Sequence, residues 1–358
     1  MKSQLPEGTL LARIRTDKFV IIFPGILDEQ QIEAYTQWLE NLLLTSQVLD
    51  DVVEQVTRER LVSVLLNSSI ACHNATEKGN GIVARFSTEM HDTAVNNVQL
   101  HQQLRYAVSK GEFHLVMQPI IDLSNPEMCT EGECLIRWQS KELGFVPPDK
   151  FIALAENTGL IVQIGRWVIE TACRELSDFI RRGAPENFKL HVNISALQLK
   201  HPDFSQHLFD CIAQNNLSLA NICIELTERV LVDDTGTAIA LLTELRRKQI
   251  TVALDDFGSG YSSLSYLHRL PFDCLKIDRN FVKDVLESEK SRTMISSVVS
   301  IAKGLNVPLI AEGIENAEVA EVLLRMGCEK AQGYYFGRPS SFNEWSVGGG
   351  KFRLEIGQ

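Results

Sequence analysis

The chain has 358 residues, 44% hydrophobic and 23% charged, with a formal net charge of -11. It is long enough for a sizeable core plus a second, smaller domain, and its acidity argues against DNA or RNA polymers as partners, which need a basic footprint. Eight cysteines without CxxC spacing argue for a reducing cytoplasm, and no bilayer-length apolar run or signal-peptide pattern suggests membrane contact from this chain.

Residues 1–90 form a first unit. Leu11 to Phe23 predicts a hairpin, two β-rich runs around the polar Arg15-Thr16-Asp17-Lys18. Asp28 to Leu44 has helical periodicity, with Ile32, Tyr35, Leu39 and Leu42 on one face, and Arg60 to Cys72 predicts a further strand. Residues 91–110 predict a stiff linking helix, with Val95, Val98, Leu100, Leu104 and Val108 as its apolar positions.

From Gly111 short apolar runs alternate with helical stretches, and residues 111–341 read as one domain. Strands are expected at Phe113–Ile120, Cys129–Trp138, Lys189–Ile194, Ile222–Leu226, Ile250–Leu254, Cys274–Ile277, Pro308–Ile310 and Ala331–Phe336. Helices are expected near Pro148–Ala155, Leu160–Arg181, Phe204–Asn215, Thr235–Lys248, Ser262–Leu270, Glu287–Gly304 and Ala317–Met326. About eight strand–helix alternations predict an α/β fold, a (β/α)8 barrel of the TIM type, with the smaller α+β unit before it. Residues 342–358, with Gly348-Gly349-Gly350, read as a peripheral tail.

In such a barrel function gathers at the C-terminal strand ends. Those ends carry Glu133, Asn193, Glu225 with Glu228 a turn beyond, Asp255-Asp256, Lys276 with Asp278, Glu312 with Glu315, and Gln332. Taken singly, Glu225 and Glu228 read as acids at a helix N-terminus and Lys276 as a salt-bridge partner. Together they read as a cluster. Neighbouring strand residues point to opposite faces, so Asp255 and Asp256 are expected to converge because the strand stops there. Two such acids repel unless a cation lies between them, and magnesium takes oxygen ligands of this kind. Five carboxylates and a carboxamide suffice for two divalent ions, the arrangement that supports in-line displacement at phosphorus. Lys276 is then sited to orient or deprotonate an attacking water, or to offset phosphate charge. The eight histidines have no ligand spacing such as HExxH and are expected to lie outside the cluster.

Glu133-Cys134-Leu135-Ile136-Arg137-Trp138, Asn193, Glu225-Leu226-Thr227-Glu228, Asp255 to Tyr261, Lys276-Ile277-Asp278, Ala311-Glu312-Gly313-Ile314-Glu315 and Gln332-Gly333-Tyr334 closely resemble, in order, the motifs of EAL-domain cyclic di-GMP phosphodiesterases. The resemblance implies hydrolysis of cyclic di-GMP to linear pGpG with two magnesium or manganese ions, in bacterial second-messenger signalling. It implies Glu133, Asn193, Glu225, Asp255, Asp256 and Glu312 as metal ligands. Lys276, Gln332 and Glu312 serve catalysis, with Glu228 bracing the loop after the fifth strand. Gln118, Leu135, Arg137, Asp278, Glu315 and Phe336 become substrate contacts: amide to guanine, guanidinium to phosphate, ring stacked on a base. A homodimer is expected, as is a cytoplasmic setting, either free or as the cytoplasmic part of a longer, membrane-anchored protein. A catalytically silent cyclic di-GMP receptor is the alternative, and hydrolysis of another phosphodiester a third reading. Cys134 stands where the family usually has Ala. The first unit resembles the second half of a GGDEF domain, with Arg15, Thr16 and Lys18 replacing the signature's two glycines and glutamate, so no cyclase activity is expected from it.

Overall fold

The computed structural model describes residues 10–13, 19–22, 88–227, 235–258, 270–348 and 351–352. The chain divides into two units, Met1–Gln102 and Gln103–Gln358. In the first, β1 (Leu10–Arg13) pairs antiparallel with β2 (Phe19–Ile22), Leu10 opposite Ile22 and Arg13 opposite Phe19. This is the expected hairpin as far as the described residues go. The helix expected over residues 28–44, the strand over 60–72 and the Ile14–Lys18 turn lie outside them. The helix expected over 91–110 is α1 (Thr88–Ala107), and its turns run on to Lys110, whose N–H donates to the Tyr106 carbonyl, before Gly111 at φ +66° closes the turn with Glu112 N–H on the Ala107 carbonyl. Leu104 and Ala107 are buried, whereas Val98, expected on the apolar face, is exposed.

The second unit is a closed eight-stranded barrel. Its strands are β3 (Phe113–Asp122), β4 (Glu131–Ser140), β6 (Lys189–Asn193), β7 (Ile222–Thr227), β8 (Thr251–Phe257), β9 (Cys274–Ile277), β10 (Leu309–Ala311) and β11 (Lys330–Ala331). The short β5 (Gly144–Val146) hangs on β4 as a hairpin. The order β3-β11-β10-β9-β8-β7-β6-β4 closes through β3–β4. From β4 round to β11 every pair is parallel, but β3 runs antiparallel to both its neighbours. The reason lies in the connections. Parallel neighbours need a crossover, usually a helix. Only residues 123–130 join β3 to β4, and they contain no helix.

The crossover helices are α2 (Pro148–Thr158) and α3 (Ile161–Arg181), then the short α4 (Ala196–Leu199) with α5 (Phe204–Gln214), and α6 (Thr235–Arg247). After β9 come the one-turn α7 (Arg279–Val282), α8 (Glu289–Leu305) and α9 (Ala317–Met326). The helix expected over 262–270 lies outside the described residues apart from its last position. Burial on α3 recurs at helical spacing through Ile164, Ile169, Ala172, Cys173, Leu176 and Phe179, so one stripe seals the sheet. Strand alternation yields two separate cores. Outward residues such as Leu190, Ile224, Leu254 and Leu275 join the helices in the main core. Ile120, Cys223, Ala253, Cys274 and Ile310, from five different strands, meet in a second cluster inside the barrel. The seven described cysteines are buried and unpaired, consistent with small core residues.

Two expectations fail at the chain's end. The eighth strand, expected over 331–336, is only Lys330–Ala331. The chain then turns onto Ile314, whose N–H donates to the Gln332 carbonyl (3.1 Å) and whose carbonyl accepts from Tyr335 N–H (3.0 Å). A Cβ on Gly333 would lie 2.1 Å from the Ile314 oxygen, so only glycine fits this approach. Nor are residues 342–345 peripheral. Phe342 is 1% exposed and meets Phe179 edge to face, and Arg182 donates to the Phe342 carbonyl at 2.6 Å. Trp345 Nε1 donates to the Met117 carbonyl at 3.3 Å. Phe342→Ala is therefore expected to destabilise the unit by about 3–5 kcal/mol, read as a lowered midpoint in urea unfolding.

Candidate active site

Inward-facing positions at one end of the barrel are Gln118, Glu133, Asn193, Glu225, Asp255, Lys276, Glu312 and Gln332, one from each of the eight strands or the residue that follows it. At the centre is Lys276, fully buried. Its Nζ lies 2.7 Å from Glu312 Oε1, 2.9 Å from Glu225 Oε2, 3.2 Å from Glu133 Oε2 and 3.5 Å from Asp255 Oδ1. Asn193 Nδ2 donates to Glu133 Oε1 (2.7 Å), and Gln332 Nε2 donates to Glu133 Oε2 (2.8 Å) and Gln118 Oε1 (3.1 Å). The strand register dictates this: Gln118 is opposite Glu133, and Asn193 opposite Glu225.

Asp255 and Asp256 do converge, by a different device from the one expected. The strand does not stop at them; β8 continues to Phe257. Leu254 pairs with Leu275 and Phe257 with Ile277, so two aspartates oppose the single Lys276. This is a β-bulge, which re-aims side chains and suits an active-site rim. Asp256 takes φ +55°, the left-handed conformation, and its N–H donates to Asp255 Oδ1 at 2.9 Å. Ligand oxygens of Asp255, Asp256 and Glu312 all come within 4.8 Å of one another.

One ammonium faces four carboxylates, and the electrostatics record the surplus. Burial and the neighbouring Asp255 and Glu133 push the Glu312 carboxyl up to about 8, against the pull of Lys276. Burial and the charges of Asp255 and Asp278 push Asp256 up to about 6. Burial also raises Glu225, with Lys276 opposing. For Glu133 burial is outweighed by the Lys276 ammonium and the hydrogen bonds from Gln332 and Asn193, so it stays below the ordinary range. Burial alone would lower Lys276, yet the four acids hold it well above its usual value. Among these carboxylates Lys276 is a fixed cation and donor. Divalent cations would offset the remaining charge, and the all-oxygen donor set fits magnesium or manganese. Gln332 Oε1 is a buried acceptor without a hydrogen-bond partner.

The expected substrate contacts divide. Leu135 and Arg137 line a cavity of about 660 Å³ together with Asn193, Glu225 and Thr227. Arg137 is half-buried, with Nη1 donating to the Ile136 carbonyl at 2.9 Å. Asp278 caps α7, accepting from Asn280 N–H at 2.7 Å, and faces Asp256. Glu315 is exposed beyond β10. Gln118 is turned inward: Nε2 donates to the Gly337 carbonyl (3.0 Å) and its oxygen accepts from Gln332, so both polar atoms are engaged. Phe336 is 4% exposed and packed on Tyr335, so its ring has no open face for a base. The exposed aromatic nearby is Tyr334, with the Arg338 guanidinium 4.2 Å over its ring. Glu228 lies outside the described residues. Cys134 is 3% exposed and burial pushes its thiol far up, which makes it unreactive.

One further side chain meets the ring from below. His191, 1% exposed, has Nδ1 2.8 Å from Glu225 Oε1. The histidines are thus not all outside the cluster. The signal was its position two residues before Asn193, on the same face of one strand.

The family described as EAL domain matches residues 101–339. MucR of Pseudomonas aeruginosa, a bifunctional diguanylate cyclase and cyclic di-GMP phosphodiesterase, is 34% identical over 276 residues, 77% of this chain and 40% of that protein. The cyclic di-GMP phosphodiesterase NbdA of the same organism is 30% identical over 350 residues, 95% of this chain and 44% of that protein. Among solved structures, the PaMucR phosphodiesterase in complex with c-di-GMP is 35% identical with a TM-score of 0.64, covering 68% of this chain and 98% of that one. The chain spans about half the length of the curated relatives it matches, or less.

Proposed function

Since the chain belongs to the EAL-domain family, we propose that it hydrolyses one phosphodiester of cyclic di-GMP to linear pGpG, using two magnesium or manganese ions. The observation that carries this reading is the completeness of the ring: eight strands deliver four carboxylates, three carboxamides and one lysine to one small volume, with Asp256 added by a bulge. Glu133, Asn193, Glu225, Asp255, Asp256 and Glu312 would hold the ions. When bound, these supply Lewis-acid stabilisation of the attacking and leaving oxygens of an in-line displacement.

The chain's own groups supply the rest. Lys276, whose three N–H donors face Glu312, Glu225 and Glu133, would release one of them to donate to the attacking water, and its charge offsets that building on phosphorus. Gln332 Oε1, without a partner of its own, accepts from the same water and fixes its approach. Arg137, at the cavity wall, grips phosphate oxygens with a planar fork. Gln118 would have to give up its Gly337 bond to read a guanine edge, so its support of Gln332 is the simpler role. The homodimer and the cytoplasmic setting belong to this reading on the family likeness alone. Among the described residues no helix is long and apolar enough to cross a membrane.

The test is incubation of the chain with cyclic di-GMP and Mg2+ or Mn2+, followed by chromatography. Metal-dependent appearance of pGpG, abolished by EDTA, is the expected result. Binding of the dinucleotide without turnover would replace the catalytic reading with the receptor one. Turnover of other phosphodiesters alone would reassign the substrate.

A further inference from the structure

Beneath the ring lies a second inward-facing layer. Glu131, His191 and Lys330 stand two residues before Glu133, Asn193 and Gln332, on the same faces of β4, β6 and β11. The other members of this layer, Ile120, Cys223, Ala253, Cys274 and Ile310, carry no charge-bearing group of this kind. The three polar residues form one chain with the ring above. Lys330 Nζ lies 2.7 Å from Glu131 Oε1 and His191 Nδ1 2.8 Å from Glu225 Oε1, while Glu131 Oε2 lies 3.4 Å from His191 Nε2, an ion-pair distance at which Nε2 makes no hydrogen bond. Glu131 and Lys330 already neutralise each other, and neither needs His191 for that. An imidazole inserted between two buried carboxylates loses its hydration, so its presence calls for a partner that gains from it.

Glu225 is that partner. Its terminal torsion is intrinsically broad and roughly two-fold. With Oε1 tied to His191, Oε2 is left pointing into the ring, 2.9 Å from Lys276 Nζ. We propose that His191 is a positioning residue, which fixes the Glu225 carboxylate for cation binding, with the Glu131 carboxylate 3.4 Å behind the imidazole. This rests on the metal-dependent reading above. Ligating carboxylates elsewhere are held by such outer partners, and removing one typically weakens metal binding by about 10- to 100-fold.

The test uses the full chain and Mn2+ alone, its binding followed by calorimetry and by the magnetic resonance signal of the free ion. His191→Leu, which keeps bulk without a donor, is expected to weaken Mn2+ affinity by about 10- to 100-fold. His191→Asn, whose amide can stand where Nδ1 stands, should recover most of that loss. Thermal melts in EDTA check folding. Should His191→Leu not fold, Glu131→Gln decides instead, since it leaves His191 in place but loosens its grip, and a several-fold loss is expected. A wild-type chain that takes up no Mn2+ would overturn the metal-dependent reading itself. Wild-type binding matched by His191→Leu, or unchanged in Glu131→Gln, would overturn only the positioning role. Equal loss in the Leu and Asn variants would do the same, since it would trace the effect to packing rather than to the donated hydrogen bond.

Discussion

Asp255→Asn is expected to abolish turnover, by on the order of 10³-fold or more, while the barrel stays folded. Asp255 is one of two residues that the β8 bulge sets against Lys276, and its oxygens lie within 4.8 Å of those of Asp256 and Glu312. An amide keeps its shape but not its charge. A 10³-fold loss corresponds to about 4 kcal/mol of transition-state stabilisation, the several kcal/mol a metal centre supplies. Stability should move the other way. Taking one charge out of a crowd that already lifts Glu312 to about 8 relieves repulsion, so the melting temperature in EDTA should hold or rise. Glu133→Ala should match the loss of activity but differ in stability. It strips Asn193 Nδ2, Gln332 Nε2 and Lys276 Nζ of a shared acceptor, at about 1–3 kcal/mol. Chromatographic assay of pGpG beside thermal melts separates the two effects. Near-normal rates in Asp255→Asn would sink the ligand assignment.

The ring was legible because the information needed was local. Each strand is a short apolar run, and a polar residue at its end, in the alternation of that run, is already committed to the barrel interior. Glu133, Asn193, Glu225, Lys276, Glu312 and Gln332 follow from that rule. What was not legible depends on pairs of strands. The bulge needs the β8–β9 register, which no pattern within residues 250–257 reveals, and the apparent end of the strand at Asp255 is the bulge itself. The antiparallel β3 was implicit in the lack of any helix between residues 123 and 130, a sign that eight alternations tend to obscure. Gly333 looked like the middle of a strand because Tyr334, Tyr335 and Phe336 carry strand-forming rings; the close approach to Ile314 decides otherwise. His191 has no metal-ligand spacing to mark it. Read by the same alternation that found Asn193, it falls directly beneath the site.

Lys276→Met should give the largest loss of stability in the metal-free protein. Among the described residues Nζ is the one cation within 4.0 Å of Glu133, Glu225, Asp255 and Glu312 together, and the side chain is fully buried. Methionine fills most of the space but leaves those acids facing one another. Breaking a buried ion pair by removing one partner costs about 3–5 kcal/mol. The cost should depend on pH. In the wild-type chain Glu312 titrates at about 8 when folded, above its ordinary 4.5, so the folded state holds the extra proton. That contribution is fully present below 4.5, and it is lost as pH rises through about 8. Without the ammonium the neighbouring acids hold their protons still harder, and the decline grows steeper between pH 6 and 8. Saturating Mn2+ should restore part of the stability, since a divalent ion binds the folded chain and replaces the missing positive charge. Turnover should not return with it, because the donor to the attacking water is gone. Urea unfolding at pH 6 and pH 8, with EDTA and with Mn2+, measures all of this. A Lys276→Met chain as stable as wild type in EDTA at pH 8 would mean that the acids are not charged against one another, and the electrostatic case for a cation site would fail with it.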